Sequence, residues 1–471
     1  MRHLTRLVVL VLVLACSGSE GTEAVFPSGG SGGATSSPPA ESGRGGSSVG
    51  GNGGSRPSGG SGGLAAGAGG AAGGAGSAAG GGGGSQTDAA GPSDGGPISD
   101  TGPGSADVAP GDPGPDAAPG FVGNPFVYVG SSSSPDIRIF ELDLGSGGLR
   151  AAGMARSGPS PNYLAFHPNG KYLYAISEQM GVGGRVYGFS INPQTGALSR
   201  INDSASGGAG PAHLWVHKSG RWLLVANYGS GHAAVVPISP EGALGAPVTP
   251  VVFAGRQAHM ILDDGVSGKF VFVPSKGDLR TLMYRFDETT GALTPNDPPS
   301  VNQGGPARHM AFHRSGQYAY VLTEGQQLGR RIFSYRYDSA TGLLSAGMPH
   351  VVSTNNSTDG AHILVHPTLD VVYASIRGLG ATGGSGSVAR LSIEEAGRLG
   401  PPAHVSTQIA RPWDFAIDPA GRYLVVANND AGNVRVFRID QTSGALSLVG
   451  AGATVAQRPR FVGILYPPRA P

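Results

Sequence analysis

A motif of about 50 residues recurs along residues 123–471 of this chain. Each copy has an alternating apolar run, a turn such as Pro-Asn-Gly or Lys-Ser-Gly, and a second apolar run. A third run follows, and a Thr-Gly-x-Leu turn precedes a weak fourth run. Period-two alternation with glycine-containing turns predicts antiparallel β-strands, four in each copy. The copies begin with the segments 161–178, 211–228, 257–276, 307–324, 361–377 and 412–429.

A seventh copy is split between the two ends of this region. Segment 126–149 supplies a second, third and fourth strand, and segment 458–467 reads as the missing first strand. Joining them closes a ring and removes the open edges of a sheet array. No amphipathic helical period separates the strands, which argues against an α/β fold. We therefore predict an all-β, seven-bladed β-propeller over residues 123–471, closed by pairing of its N-terminal strands with its C-terminal strand.

The N-terminus is predicted to be an export signal followed by a tether. Arg2 and Arg6 precede an apolar run that is too short to span a bilayer as a mature helix, and the run ends in Val-Leu-Ala-Cys. This resembles the bacterial lipoprotein signal, which implies cleavage after residue 15 and lipidation of Cys16. Residues 17–122 are almost entirely Gly, Ser, Ala, Pro and Asp, a composition that cannot bury enough apolar surface to form a core. We expect residues 1–16 to be the signal with its lipidated cysteine, residues 17–122 to be a disordered tether, and the protein to be anchored in the cell envelope.

Composition narrows the range of partners. The net charge is +1 and no Lys/Arg cluster is present, which argues against nucleic acid or anionic lipid as the main partner. The single cysteine, used as a lipid anchor, leaves no disulfide. No His, Cys, Asp or Glu cluster has convincing metal-ligand spacing, so neither a metal nor another cofactor is predicted. We expect a monomer that contacts the membrane only through its anchor.

Polar residues occupy the tips of the predicted strands. The starts of first strands and the ends of second strands should gather at one mouth of a propeller. The first set is Tyr163, His213, His259, His309, His362 and Asp414, and the second is Ser132, Glu178, Tyr228, Lys276, Glu324, Arg377 and Asn429. One histidine per blade can be structural, but the second set changes type from blade to blade. Mixed charges that face one cavity indicate a site for a polar ligand.

The strand tips resemble those of the propeller-type lactonases, which include bacterial 6-phosphogluconolactonases and the fungal carboxymuconate lactonizing enzyme. The resemblance covers roughly residues 124–467 and includes "VANYGSG" at 225–231. The family's histidine matches His259 in "QAHMI", and its Gly-Pro-Arg-His element matches "GPARHM" with Arg308. Its glutamate falls on Glu324 in "YVLTE", and its second arginine falls on Arg377 in "YASIRG". The family usually has an acidic residue where this chain has His362.

The resemblance implies that a small-molecule lactone is hydrolysed to its hydroxy acid at the central funnel. We assign Glu324 as general base, His259 as proton donor or water orienter, and Arg308 and Arg377 as holders of carbonyl and acid groups. The Glu/His roles can be exchanged. The predicted substrate-binding residues are His213, Tyr228, His309, His362 and Lys276. Two alternatives remain, a lactonizing cycloisomerase and a non-enzymatic surface propeller that binds protein or glycan.

Overall fold

The computed structural model describes residues 123–178, 183–325, 330–353, 358–378, 386–455 and 458–466. In these residues, strands form seven four-stranded antiparallel sheets. The first strands are β4 (Pro161–Phe166), β8 (Pro211–Val216), β12 (Leu262–Asp263), β16 (Ala307–Phe312), β20 (Thr358–Val365), β24 (Pro412–Ile417) and β28 (Pro459–Leu465). The second strands are β1 (Phe126–Ser131), β5 (Tyr172–Ser177), β9 (Trp222–Asn227), β13 (Phe270–Ser275), β17 (Tyr318–Thr323), β21 (Val371–Gly378) and β25 (Tyr423–Asn428).

The third and fourth strands complete each blade. The third strands are β2 (Asp136–Leu142), β6 (Gly183–Ile191), β10 (His232–Pro237), β14 (Arg280–Asp287), β18 (Arg330–Asp338), β22 (Ser387–Ser392) and β26 (Asn433–Ile439). The fourth strands are β3 (Leu149–Arg156), β7 (Leu198–Ala209), β11 (Val252–Phe253), β15 (Ala292–Asn302), β19 (Leu343–Ser353), β23 (Ala403–Val405) and β27 (Leu446–Thr454). One 3-10 turn, Glu395–Gly397, lies between β22 and β23. No helix in the described residues is long and apolar enough to cross a bilayer.

The seven-bladed architecture and the split blade are confirmed. One sheet has the order β28-β1-β2-β3, with β28 antiparallel to β1 from Phe126–Leu465 to Val129–Val462. β28, at the C-terminal end, is therefore the first strand of the blade whose second, third and fourth strands are β1, β2 and β3. The predictions for Cys16 and for residues 17–122 lie outside the described residues.

Burial explains the differing strength of the strand signals. Second strands are covered by both neighbouring blades, so β1, β13, β21 and β25 are buried at every position. They consequently read as continuous apolar runs. The outer strands β3 and β27 are partly or fully exposed along their length, which accounts for their weak apolar pattern. The core is divided into apolar clusters between adjacent blades; one joins Val127 and Val129 to Val425 and Val462.

Polar contacts between blades explain two features of the repeat. A tyrosine of a second strand donates to a turn of the next blade, as Tyr128 Oη does to the Gly196 carbonyl at 2.9 Å. Gly196 has φ of 70°, and a Cβ atom there would lie 2.6 Å from Phe126, so the Thr-Gly-x-Leu turn requires glycine. The histidines that follow first strands bond to the next blade's turn; His217 Nε2 lies 2.8 Å from the Gly268 carbonyl. The role of these histidines is structural, because they link neighbouring blades.

One first strand is shorter than the repeat predicts. Its pairing with β13 is reduced to β12 and an isolated Ala258–Ser275 bridge. Continuing the register of β12 places Met260 opposite Pro274, which has no N–H to donate to the ladder. The His259 N–H still donates to the Pro274 carbonyl at 2.9 Å. Pro274 therefore leaves His259 in irregular backbone rather than in a regular strand.

Candidate active site

A β-bulge near the start of the first strands determines which side chains face the polar mouth. In β16, Ala307 pairs with Thr323 and His309 with Leu322, so Arg308 has no partner of its own. In β4, β8, β24 and β28 the same irregularity falls at matching places. The residues that it leaves unpaired are Asn162, Ala212, Arg308, Trp413 and Arg460. A bulge adds one residue to one strand and re-aims its side chain, and all five of these residues line one cavity.

This cavity has a volume of about 240 Å³ and lies at the mouth where second strands end. Four of the lining residues directly follow second strands, namely Glu178, Tyr228, Lys276 and Glu324. Arg377 is the penultimate residue of the second strand β21. All of these residues line the cavity. The remaining lining residues are Tyr163, His259, His309 and Asp414. The bulged residues and the strand ends thus form the two parts of the wall.

Glu324 is held by three cationic side chains. Arg308 Nε donates to Oε2 at 2.9 Å, and an Arg377 terminal nitrogen donates to Oε1 at 2.7 Å. Lys276 Nζ lies 3.2 Å from Oε1. Burial raises the pKa of Glu324, but the charges of Arg308, Arg377 and their neighbours outweigh it, and the net pKa lies well below its usual range. Glu324 is therefore a firmly ionised carboxylate at neutral pH and a weak proton acceptor.

The two arginines are more deeply buried than residues at an open mouth would be. Arg308 and Arg377 are each only 3% exposed. Arg308 also donates to the carbonyl of Ala361 and to His309 Nε2 at 3.2 Å. Burial lowers the pKa of Arg308 to about 10, so it remains charged at neutral pH. Lys276, whose side chain is 27% exposed, is the most accessible cation of the cluster.

His259 has the properties of a neutral imidazole beside this cluster. Burial, and then the charge of Arg308, place its pKa well below the usual value. Its Nε2 lies 3.9 Å from Glu324 Oε2, and its Nδ1 is buried without a hydrogen-bond partner. The Tyr228 ring packs edge-on against His259 at 5.4 Å between centroids. Burial raises the pKa of Tyr228, so its phenol keeps its proton at neutral pH and can donate it.

A second polar cluster lies in the same cavity. Arg460 donates to Glu178 Oε2 at 2.7 Å, and Asn162 Nδ2 donates to the same oxygen at 3.2 Å. Trp413 contacts arginines of both clusters, because its ring centroid is 4.3 Å from Cζ of Arg377 and 4.5 Å from Cζ of Arg460. Cations at these distances are attracted to the ring quadrupole. Trp413 thus links the Glu324 cluster to the Glu178 cluster.

The expectation that all the ring histidines bind substrate needs correction. His259 and His309 line the cavity, but His213 and His362 do not. His213 is fully buried and packs 4.2 Å from the Tyr163 ring. His362 Nδ1 lies 2.7 Å from His309 Nδ1, and His362 lines a different, mainly apolar cavity of about 720 Å³ bordered by the far ends of first strands. In the blade of His213, the bulge turns the preceding residue, Ala212, into the polar cavity instead.

The sequence analysis therefore predicted some of the residues that line the polar cavity and missed others. Glu324, His259, Arg308, Arg377, Tyr228, Lys276 and His309 meet at one cavity as geometry, while their chemical roles stay predictions. Glu178 was predicted to be a strand-tip residue but not a site residue, and Arg460 was not among the predicted site residues either. Trp413 and Asn162 were missed, although each stands one place before an aligned ring residue, as Arg308 does. No group of three or more His, Cys, Asp or Glu side chains in the described ranges is arranged to hold a metal ion.

Comparison with known proteins shows which family this chain belongs to. The family model "Lactonase, 7-bladed beta-propeller" matches residues 126–462. The 6-phosphogluconolactonase of Bacillus subtilis is 29% identical over 344 residues, covering 70% of this chain and 95% of that protein. The 6-phosphogluconolactonase of Formosa agariphila is 28% identical over 342 residues, covering 69% and 94%. The solved periplasmic gluconolactonase of Pseudomonas aeruginosa has a TM-score of 0.65 at 22% identity, covering 73% of this chain and 99% of that one. The chain therefore belongs to the lactonase family of seven-bladed β-propellers.

Proposed function

We propose that this protein hydrolyses a sugar-type lactone in the 240 Å³ polar cavity. The observation that carries the proposal is the buried His259, whose Nε2 lies 3.9 Å from Glu324, a carboxylate contacted by three cations. Lactone hydrolysis needs a base for the attacking water, a donor for the developing oxyanion, and a proton for the departing ring oxygen. The cavity contains a candidate for each.

His259 is the better candidate for the base, which exchanges the roles first assigned to His259 and Glu324. A depressed pKa keeps the imidazole neutral at pH 7 and able to accept a proton. Glu324 is weakly basic as well, and both of its oxygens are already occupied by cationic donors, which leaves it less able to take a proton from water. We assign Glu324 to holding Lys276, Arg308 and Arg377 in place and to orienting the water.

The remaining roles follow from exposure and protonation. Water adds its oxygen to the ring carbonyl carbon as His259 accepts one of its protons. Lys276, the most accessible cation, and Arg377 stabilise the tetrahedral oxyanion. The ring C–O bond then breaks, and the alkoxide takes the proton held by His259, either directly or through Tyr228, which His259 then reprotonates. The product is the hydroxy acid, and ionisation of its carboxylic acid releases the proton that a pH indicator detects.

The cavity suits a small, polyhydroxylated ring. Its volume lies below the roughly 300–1,000 Å³ that is typical of drug-sized ligand sites. Arg308, Arg377 and Lys276 contact Glu324, and Arg460 contacts Glu178, so four cations face two carboxylates. The resulting positive charge suits the carbonyl oxygen of a lactone and the carboxylate of its product. The curated relatives are named for a phosphorylated lactone, and the proposal of an unphosphorylated one rests on the N-terminal sequence.

The N-terminal sequence supports an unphosphorylated lactone as the substrate. Phosphorylated gluconolactone is a cytosolic metabolite, whereas the signal and Cys16 are those expected of an exported lipoprotein. We accordingly propose that the protein is held at the cell envelope by a lipid on Cys16. A sugar lactone formed or taken up outside the inner membrane would be accessible to it there.

The test is a lactonase assay on the purified full-length protein. Glucono-1,5-lactone opens spontaneously, so acid release followed by a pH indicator must be compared between protein variants. His259→Gln should lower kcat/KM by about a hundredfold or more, the usual contribution of a general base. His404→Asn is the matched control because His404 is exposed on the outer strand β23, and it should retain the wild-type rate.

The outcome also separates the alternatives. Equal rates for wild type and His259→Gln across neutral, acidic and phosphorylated lactones would reject hydrolysis at this cavity and favour a surface-binding role. A rate confined to the phosphorylated lactone would retain the hydrolase and overturn the proposed substrate. Ring closure of an unsaturated acid, measured by loss of its ultraviolet absorbance, would identify a cycloisomerase instead.

A further inference from the structure

Directly under the active-site cavity, buried polar groups form a chain that ends at Asp414. Arg308 contacts His309 Nε2 at 3.2 Å, and His309 Nδ1 lies 2.7 Å from His362 Nδ1. His362 Nδ1 lies 3.4 Å from Asp414 Oδ1. Asp414 Oδ2 accepts the Val462 N–H at 3.1 Å, while Oδ1 is buried with no hydrogen-bond partner.

The donors along this chain can be assigned from one end. Arginine carries only donors, so His309 Nε2 must accept from Arg308. A neutral His309 then carries its proton on Nδ1 and donates it to His362 Nδ1. The lone pair of His362 Nδ1 therefore accepts from His309, and Asp414 Oδ1 lies beside this acceptor, 3.4 Å from the nitrogen. An ionised carboxylate oxygen at that place would meet a second acceptor and have no donor.

We infer that Asp414 is a neutral carboxylic acid, and that it supports the contact between His362 and His309 which positions Arg308 against Glu324. The protonated Oδ1 carries no charge to repel the His362 Nδ1 lone pair, and its O–H can share that lone pair with His309 in a longer, weaker contact. The link to activity rests on the proposed function, whereas the protonation state of Asp414 does not. His309, His362 and Asp414 are thus positioning residues rather than catalytic ones.

The surroundings of Asp414 agree with this assignment. Asp414 is only 2% exposed, and burial raises its pKa to about 8. The titratable or charged groups that face it are Arg308 of β16, His362 of β20 and Tyr163 of β4, while β28 presents the Val462 N–H. Burial also lowers the pKa of His362 to about 3, so a histidine cation does not compensate an aspartate anion here.

The first test measures the proton itself. Infrared difference spectra of full-length wild type and Asp414→Asn, taken with carboxyl-labelled aspartate, should show one protonated carboxylic acid band at pH 6 in wild type alone. That band should disappear as pH rises through about 8. A wild-type spectrum at pH 6 without the band would overturn the inference.

Thermal stability gives a second readout that does not depend on catalysis. The unfolded chain releases this proton above about pH 4, and the folded chain retains it until about pH 8. Wild type should therefore lose Tm relative to Asp414→Asn as pH rises between these values, and the difference should become constant above pH 8. Asp297→Asn, a change at an exposed carboxylate, should show no such trend. Parallel curves for wild type and Asp414→Asn would contradict a neutral Asp414.

Activity tests the positioning role. Asparagine can donate to His362 and accept from Val462, whereas leucine can do neither. At pH 7, kcat/KM should fall at least tenfold more in Asp414→Leu than in Asp414→Asn, and only wild type should lose rate above about pH 8. An alkaline decline that persists unchanged in Asp414→Asn would reject the link to Arg308. Absence of lactone hydrolysis in all variants would reject the proposed function, while the infrared and Tm results would still decide the state of Asp414.

Discussion

At the scale of single residues, the candidate site is governed by how charges are paired. Glu324 has three cationic partners, two of which are almost fully buried. In such surroundings a carboxylate is more useful for fixing cations than for accepting protons. His259 beside it is less constrained by donors, because its Nδ1 has no hydrogen-bond partner and its Nε2 lies 3.9 Å from Glu324 Oε2.

Glu324→Gln should therefore destabilise the protein as well as reduce its activity. Removing the anion leaves the buried Arg308 without its main charge partner, and loss of one member of a buried pair typically costs about 3–5 kcal/mol. A depressed carboxylate pKa stabilises the fold above the unfolded value of about 4.3 and stops doing so as pH falls through the folded value. The Tm deficit of Glu324→Gln should consequently be large at pH 7 and smaller at pH 3. Identical melting curves at pH 7 would contradict a structural role for this ion cluster.

The pH dependence of kcat/KM follows from His259. The base must be neutral, and its pKa lies well below 6.5. The rate should stay flat as pH falls from 7.5 to about 6 and should decline only at more acidic values. A half-maximal rate at or above pH 6.5 would indicate an imidazole with an ordinary pKa and would argue against this environment. The measurement uses wild-type protein, with the spontaneous rate subtracted at each pH.

At the scale of strands, two irregularities position the site. The bulge in the first strands turns Arg308, Trp413 and Arg460 into the cavity. Pro274 interrupts the ladder beside His259 and shortens β12 to two residues. In both cases the loss of regular pairing occurs next to a candidate site residue, as is common for bulges beside active sites.

The closing strand should be indispensable. A chain that ends at residue 457 lacks β28, which exposes β1 along its full length and opens the apolar cluster containing Val462. We expect the shorter chain to aggregate or to fail to express. Size-exclusion chromatography of the soluble fraction measures this outcome. A chain that ends at Tyr466 keeps β28 and serves as the control. A well-behaved monomer from the shorter chain would show that ring closure contributes little.

The sequence was sufficient for the fold and for part of the site, for physical reasons. Second strands such as β13 and β21 are buried on both faces, so their apolar runs stand out at every repeat. Glu324 and Lys276 follow such strands directly and could be placed by alignment alone. The orientation of His213 could not, because a bulge shifts the side chains by one position without changing the residue count of the repeat. Pro274 was a visible signal for the broken strand, and Arg460 stands in β28 where Arg308 stands in β16.

At the scale of the whole molecule, the ring encloses two cavities of opposite character. The polar one lies at the bulged ends of the first strands, and the mainly apolar one borders their far ends. Tyr163 and Asp414 line both, so the layer that separates the cavities is one side chain thick at these points. Residues 1–122 lie outside the described residues, and we propose that they determine where the ring is held.

We propose that anchoring of the ring depends on one residue, Cys16. Cys16→Ser removes the only thiol that a lipid could occupy, so the protein should appear in the soluble fraction instead of the membrane fraction. Metabolic labelling with a fatty acid should mark wild type and not the variant. Unlabelled wild type would reject the lipoprotein prediction, and its lactonase activity could still be measured.

The bulged positions also bear on how such a protein could acquire a new substrate. Asn162, Ala212 and Trp413 occupy equivalent places in their blades, yet they differ completely in size and polarity. Because none has a ladder partner of its own, its side chain can be exchanged without altering the register of the strands that hold it. We expect a small library at Ala212 to change lactone preference while Tm stays near wild type, and a uniform loss of Tm would contradict this. Lactone preference would then depend on the side chains at single bulged positions, while the backbone of the seven similar blades stays unchanged.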